Sequence, residues 1–158
     1  MNLRKRASVL FMIIFITANF SSCNGQANEI NVQNVMIENI GVTLNSNQKS
    51  IKIIDSHSDF LSLGNNYKIN EEILNLYDDV FFENSSIIFI AIGTTPEPTY
   101  SVSKILKQEE NMTIFLDEKR SHLQDALLVN LGFFIEVSKE DVSGVEKTAI
   151  EITTIFTD

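Results

Sequence analysis

One cysteine in 158 residues, Cys23, constrains this chain more than any other position. It ends a short leader that is basic, then greasy, and an exported chain with a single thiol closes no internal disulfide. The folded part must therefore be held by its own apolar core. Arg4, Lys5 and Arg6 form the basic start of the leader, and residues 9–16 are unbroken apolar sequence. Spanning a bilayer as a helix takes about 20 apolar residues, so this segment is too short, and its flanks match a cleaved export signal.

The run Phe20-Ser21-Ser22-Cys23 resembles the processing site of bacterial lipoproteins, where the cysteine sulfur receives a diacylglycerol before cleavage. The resemblance implies a signal peptide over 1–22, lipidation at Cys23 and a polar tether over 23–31. One acyl chain holds a protein marginally, at roughly 0.8 kcal/mol per buried methylene, whereas two or three hold it stably. Asn24 stands where an aspartate tends to retain such proteins at the inner membrane. Its presence implies export to the periplasmic side of the outer membrane in a Gram-negative host.

Removing residues 1–22 from the 158 leaves 136, the size of one ordinary domain, here 32–158 after the tether. The leader carries three of the twelve basic residues and no acidic one, so the formal charge moves from −9 to −12. That balance works against nucleic acid, whose backbone is neutralised by Lys and Arg. The membrane is then a partner through the lipid alone. The acidic pairs Asp78-Asp79, Glu109-Glu110, Asp117-Glu118 and Glu140-Asp141 read as solvated faces.

Strand patterns dominate the rest. An early strand or hairpin is expected over 33–44 and a short β-branched strand over 49–54. The continuous apolar run at 86–92 has strand length and the composition of a strand buried on both faces. Tyr100, Val102 and Leu106, then Met112, Ile114 and Leu116, alternate about the Glu109-Glu110-Asn111 turn and predict a hairpin over 99–117. Leu131, Phe133, Ile135 and Val137 share one face of a later strand, and Ile150, Ile152 and Thr154 one face of the last. Helical turns are expected at 56–63, at 70–76 with Asn70 as N-cap, and at 123–129. The fold class is α+β or mainly β: a curled or barrel-like, mostly antiparallel sheet with two or three short helices.

Few constellations carry chemistry. Asp55, His57 and Asp59 alternate at a strand end and offer carboxylates and imidazole to a divalent metal, the basis of a small metal-dependent hydrolase. The segment faintly resembles the metal-binding strand end of amidohydrolase-type barrels, but those run to about 250 residues. Ser56 as helix N-cap with Asp59 answering three residues on explains the same residues without a ligand. No serine lies in a Gly-x-Ser-x-Gly elbow, no phosphate or calcium loop occurs, and no cofactor is expected. The second histidine, His122, has no ligand partner at helical or strand spacing. The loop Pro96-Glu97-Pro98 with Tyr100 joins two strands and reads either as a plain turn or as an interaction tip with an exposed aromatic.

Tyr77-Asp78-Asp79-Val80-Phe81-Phe82-Glu83-Asn84, the apolar strand after it, and Ile135-Glu136-Val137-Ser138-Lys139 resemble an uncharacterised family of small exported bacterial lipoproteins. More distantly they are similar to the C-terminal domain of protease-complex accessory subunits, which implies a protease inhibitor or regulator as another role. The family pattern has a Gly/Ser-rich turn in place of residues 94–98 and a tryptophan-histidine pair in place of Leu131-Gly132. The resemblance implies a fold but no activity. With no catalytic constellation visible, the expected role is a non-enzymatic binding or accessory module for another envelope protein.

Overall fold

Residues 85–94 are apolar at almost every position, and a strand of that composition is stable only when both its faces are covered. The computed structural model describes residues 26–45, 48–94, 98–121 and 128–157, and it shows that cover. In chain order the elements are β1 (Asn28–Glu29), β2 (Val32–Asn39), β3 (Lys49–Ile54), α1 (His57–Tyr67), α2 (Glu71–Leu74) and α3 (Phe81–Asn84). They continue with β4 (Ser85–Thr94), β5 (Thr99–Gln108), β6 (Asn111–Ser121), β7 (Val129–Ser138), α4 (Lys139–Val142) and β8 (Lys147–Thr157). One sheet has the order β2-β7-β4-β3 and is antiparallel throughout. The other has the order β1-β5-β6-β8, with β6 and β8 parallel.

The two sheets face each other. Ile88, Ile90, Ile92, Phe133, Ile135 and Val137 of the first pack on Ile105, Met112, Ile114 and Leu116 of the second. The opposite face of the first sheet carries Ile87, Phe89, Ala91 and Phe134, and the helices cover these with Phe60, Leu63, Ile73, Tyr77 and Phe82. The outer face of the second sheet is the solvated one, which is why β6 alternates and β4 does not. The protein is thus mainly β and mostly antiparallel, with short helices.

The sheet does not close into a barrel. After β6 the chain crosses to the other sheet as β7 and returns through α4, so β3 and β8 become edges that flank a gap. Residues 40–45 form a loop and not the end of an early hairpin. Their backbone is taken up elsewhere: Ile40 N donates to Asn130 O at 2.9 Å and Leu44 N to Asn130 Oδ1 at 2.9 Å. Val129 begins β7, while 123–127 of the expected third helical turn lie outside the described residues. Asn28 and Glu29, read from sequence as tether, pair with Lys107 and Leu106. Among the described residues no helix is long and apolar enough to cross a membrane.

The residues behind the family resemblance hold these layers together. Asp78 Oδ1 accepts from Phe81 N at 2.9 Å and starts α3. Tyr77 donates its hydroxyl to Glu136 Oε1 at 2.9 Å, tying the helical layer to β7. Burial, then the neighbouring carboxylate, pushes the Tyr77 phenol well above its usual pKa. Lys139 Nζ donates to Phe82 O and Asp55 O, both at 2.9 Å, where α3 and β3 end. Lys139→Met keeps the aliphatic stem and removes both charge-assisted bonds, so a loss of about 1.5–3 kcal/mol is expected in urea unfolding. Gly132 has no room for a side chain: a Cβ there would lie 2.7 Å from Ile40 Cγ2. A larger side chain is therefore excluded at this position unless Ile40 moves.

Candidate functional site

Period-two alternation along β6 turns Met112, Ile114 and Leu116 inward, and two more steps bring Glu118 and Arg120 to the same face. Glu118 is not on a solvated face as its pairing with Asp117 suggested; it is 4% exposed. The sheet register supplies its partners. Tyr100 on β5 and Thr154 on β8 lie directly opposite Glu118 on either side. Tyr100 donates its hydroxyl to Glu118 Oε1, and Arg120 Nη2 donates to the same oxygen at 2.7 Å. Thr154 Oγ1 donates to Oε2 at 2.8 Å. Tyr100 Oη also lies 3.2 Å from Thr94 Oγ1 at the end of β4, so the row bridges both sheets.

Burial alone would raise the Glu118 pKa, but the donors outweigh it. Hydrogen bonds from Arg120, Tyr100 and Thr154 bring the carboxyl down to about 2. The same contacts work in reverse on their partners. Burial and the Glu118 carboxylate push the Tyr100 phenol up to about 12. The Arg120 guanidinium is raised chiefly by its bond to Glu118. At neutral pH the row is a fixed anion and a fixed cation, and it acts by charge and hydrogen bonding.

Above this row lies a cleft of about 530 Å³, lined among others by Lys49, Ile92, Thr94, Arg120, Ile152 and Phe156. Arg120 is more exposed than Glu118, at 22% against 5% of the side chain, so the guanidinium faces the opening over a buried carboxylate. Lys49 stands exposed at the same opening, and Phe156 is 59% exposed. With Arg120 paired to Glu118, Lys49 leaves the cleft one net positive charge beside apolar walls, which suits a carboxylate carried on an apolar or extended group.

Thr94 and Tyr100, which flank the proline loop, line this cleft. Pro96 and Glu97 lie outside the described residues, and Pro98 is buried. Tyr100 is not an exposed aromatic. Strand alternation turns it inward, and its ring meets Phe133 edge-on at 5.4 Å between centroids.

Asp55, His57 and Asp59 sit at the other end of the sandwich and each has a local partner. Ser86 Oγ donates to Asp55 Oδ1 at 2.6 Å. Ser56 caps α1, accepting from Asp59 N at 3.2 Å and donating to Asp59 Oδ2 at 2.8 Å. His57 Nδ1 is 3.6 Å from Asp79 Oδ2 on the surface. Among the described residues no group of three His, Cys, Asp or Glu side chains is placed to hold a metal ion. Cys23 and His122 lie outside the described residues. The residues that sequence reasoning missed are Glu118 and Arg120. The signal for them was the apolar alternation of β6 continuing into two charged positions. No family model, curated protein or solved structure matches this chain.

Proposed function

We propose that this protein is an exported, lipid-anchored envelope module that binds another envelope protein and holds its binding cleft away from the membrane. One observation carries the reading: the start of β1 and the cleft are at opposite ends of the sandwich. β1 runs antiparallel to β5, with Asn28 opposite Lys107, so β1 starts beside the Gln108–Asn111 turn. Tyr100, at the cleft, is seven residues further along β5. At about 3.3 Å per residue, that separates the two ends by roughly 20 Å. A diacylglycerol on Cys23 would set the turn end towards the lipid and the cleft outwards.

The leader, Phe20-Ser21-Ser22-Cys23 and Asn24 support acylation and outer-membrane delivery on the periplasmic side. The net charge of −9, or −12 without the leader, argues against nucleic acid. The fixed Glu118–Arg120 pair supports a binding role, because a carboxyl held at about 2 carries no proton to donate at neutral pH. The expected result is incorporation of labelled palmitate into the membrane-fraction protein. Cys23→Ser should lose the label and move the protein to the soluble fraction. Absence of label, or a serine variant that stays with the membrane, rejects the anchor.

A further inference from the structure

We infer that β8 is built to accept an extended segment of another protein as an added strand, with an acidic side chain of that segment meeting Lys49 and Arg120 in the cleft. This rests on the reading of the protein as a binding module and not on its anchor. An unpaired strand edge is a template for association, and proteins blunt such edges with bulges, short strands and lysines. Of the four outer strands β1, β2, β3 and β8, the first three carry such a device, and β1 is only two residues long. β2 has a register shift between Val32 and Asn34. β5, which β1 covers only at Leu106 and Lys107, has one between Val102 and Lys104. β3 has six residues, two of them Lys49 and Lys52. β8 has eleven, charged only at Lys147 and Glu151, runs in unbroken register with β6, contains no proline, and among the described residues pairs on that one side.

Three depressions follow the gap between β3 and β8: one at Ile53 and Val145, one at Ile51, Thr148 and Ile150, and the cleft at Ile152. Inward side chains at every second position of an added strand would meet these apolar residues. Charge selects the occupant. Lys49, Arg120 and Lys139 line these depressions against Asp55 and Glu118, the latter paired with Arg120, an excess of one positive charge on a chain of net charge −9. A second copy would bring a like-charged surface, whereas an acidic, alternating segment is complementary.

The probe is a capped ten-residue peptide alternating threonine and valine with one central glutamate, added to the full-chain protein in detergent micelles. Amide hydrogen exchange is expected to slow at β8 and not at β2 or β5. Lys49→Glu should weaken the peptide at least tenfold and favour its central-lysine counterpart. Thr148→Lys, an exposed position lining the middle depression, should abolish the protection. Methylating alternate backbone nitrogens of the peptide should do the same. Protection confined to another edge, undiminished binding of the methylated peptide, or indifference to Lys49→Glu overturns the inference. Self-association through β8 that Thr148→Lys removes would assign the edge to a second copy and also overturn it. Loss of membrane attachment in Cys23→Ser changes none of these readouts, so the anchor and the strand site fail separately.

Discussion

Glu118→Gln is expected to cost about 3 kcal/mol at pH 7, a large share of the roughly 5–15 kcal/mol that stabilises a domain of this size. The carboxylate accepts from Arg120, Tyr100 and Thr154, and a neutral amide can neither offset the guanidinium nor accept at both ends. Linkage makes the effect depend on pH. The folded-state pKa of about 2 lies below the ordinary 4.5, so folding favours the ionised form. Its contribution is complete above about 4.5 and is lost as pH falls through 2; a shift of this size corresponds to about 3 kcal/mol. Urea unfolding from pH 7 to 2 should therefore show wild type and variant converging in that window. A gap that stayed constant to pH 2 would mean that ionisation of Glu118 is not what holds the row.

Phe60→Ala should be the most damaging single truncation on the helical side, at about 3–5 kcal/mol in the same measurement. Phe60 is fully buried and meets three rings: Tyr77 at 5.2 Å, Phe82 at 5.9 Å and Phe134 at 6.3 Å between centroids. It joins α1, α3 and β7, so the cavity would open at the junction between the helices and the sheet. Amide exchange should locate the loss: faster opening in α1 to α3 ahead of β5 and β6, whose core lies on the other side of β4 and β7. Equal loosening of both cores would show that the two layers unfold as one unit.

These two positions differ in how far the chain announces them. Phe60 follows Ser56 at the spacing of a capped helix and begins an apolar face, so its burial follows from local pattern. Glu118 follows Asp117 in an acidic chain, and adjacent carboxylates read as surface. Only the period of β6, carried two steps past Leu116, points inward. A buried carboxylate also needs partners to be tenable, and these come from positions 100 and 154, remote along the chain. The proline loop shows the same limit, since the ring of Tyr100 turns inward because of the sheet it joins.

The Asp55-Ser56-His57-Ser58-Asp59 cluster offered both a metal reading and a helix cap, and the cap is present: Ser56 accepts from Asp59 N, while Ser86 donates to Asp55 and His57 Nδ1 lies 3.6 Å from Asp79 Oδ2. Spacing brings ligand types close in the chain but does not converge them, because convergence requires several elements to aim at one point.

Local pattern alone determined most of the strands, the inward faces of β6 and β7, the hairpin about Glu109-Glu110, the helices capped by Ser56 and Asn70 and the doubly covered β4, because alternation, capping and turns act over a few residues. The bulge that buries Ile105 of β5 in place of Leu106 was not legible in that pattern. Tertiary structure alone decided that the sheet splits and, among the described residues, pairs β8 with β6 alone, that Tyr100, Glu118 and Thr154 share one row, and that the cleft lies at the end opposite the start of β1. Those outcomes depend on which strands become neighbours. That choice is made by burying two apolar faces at once, and no short stretch of the chain contains it.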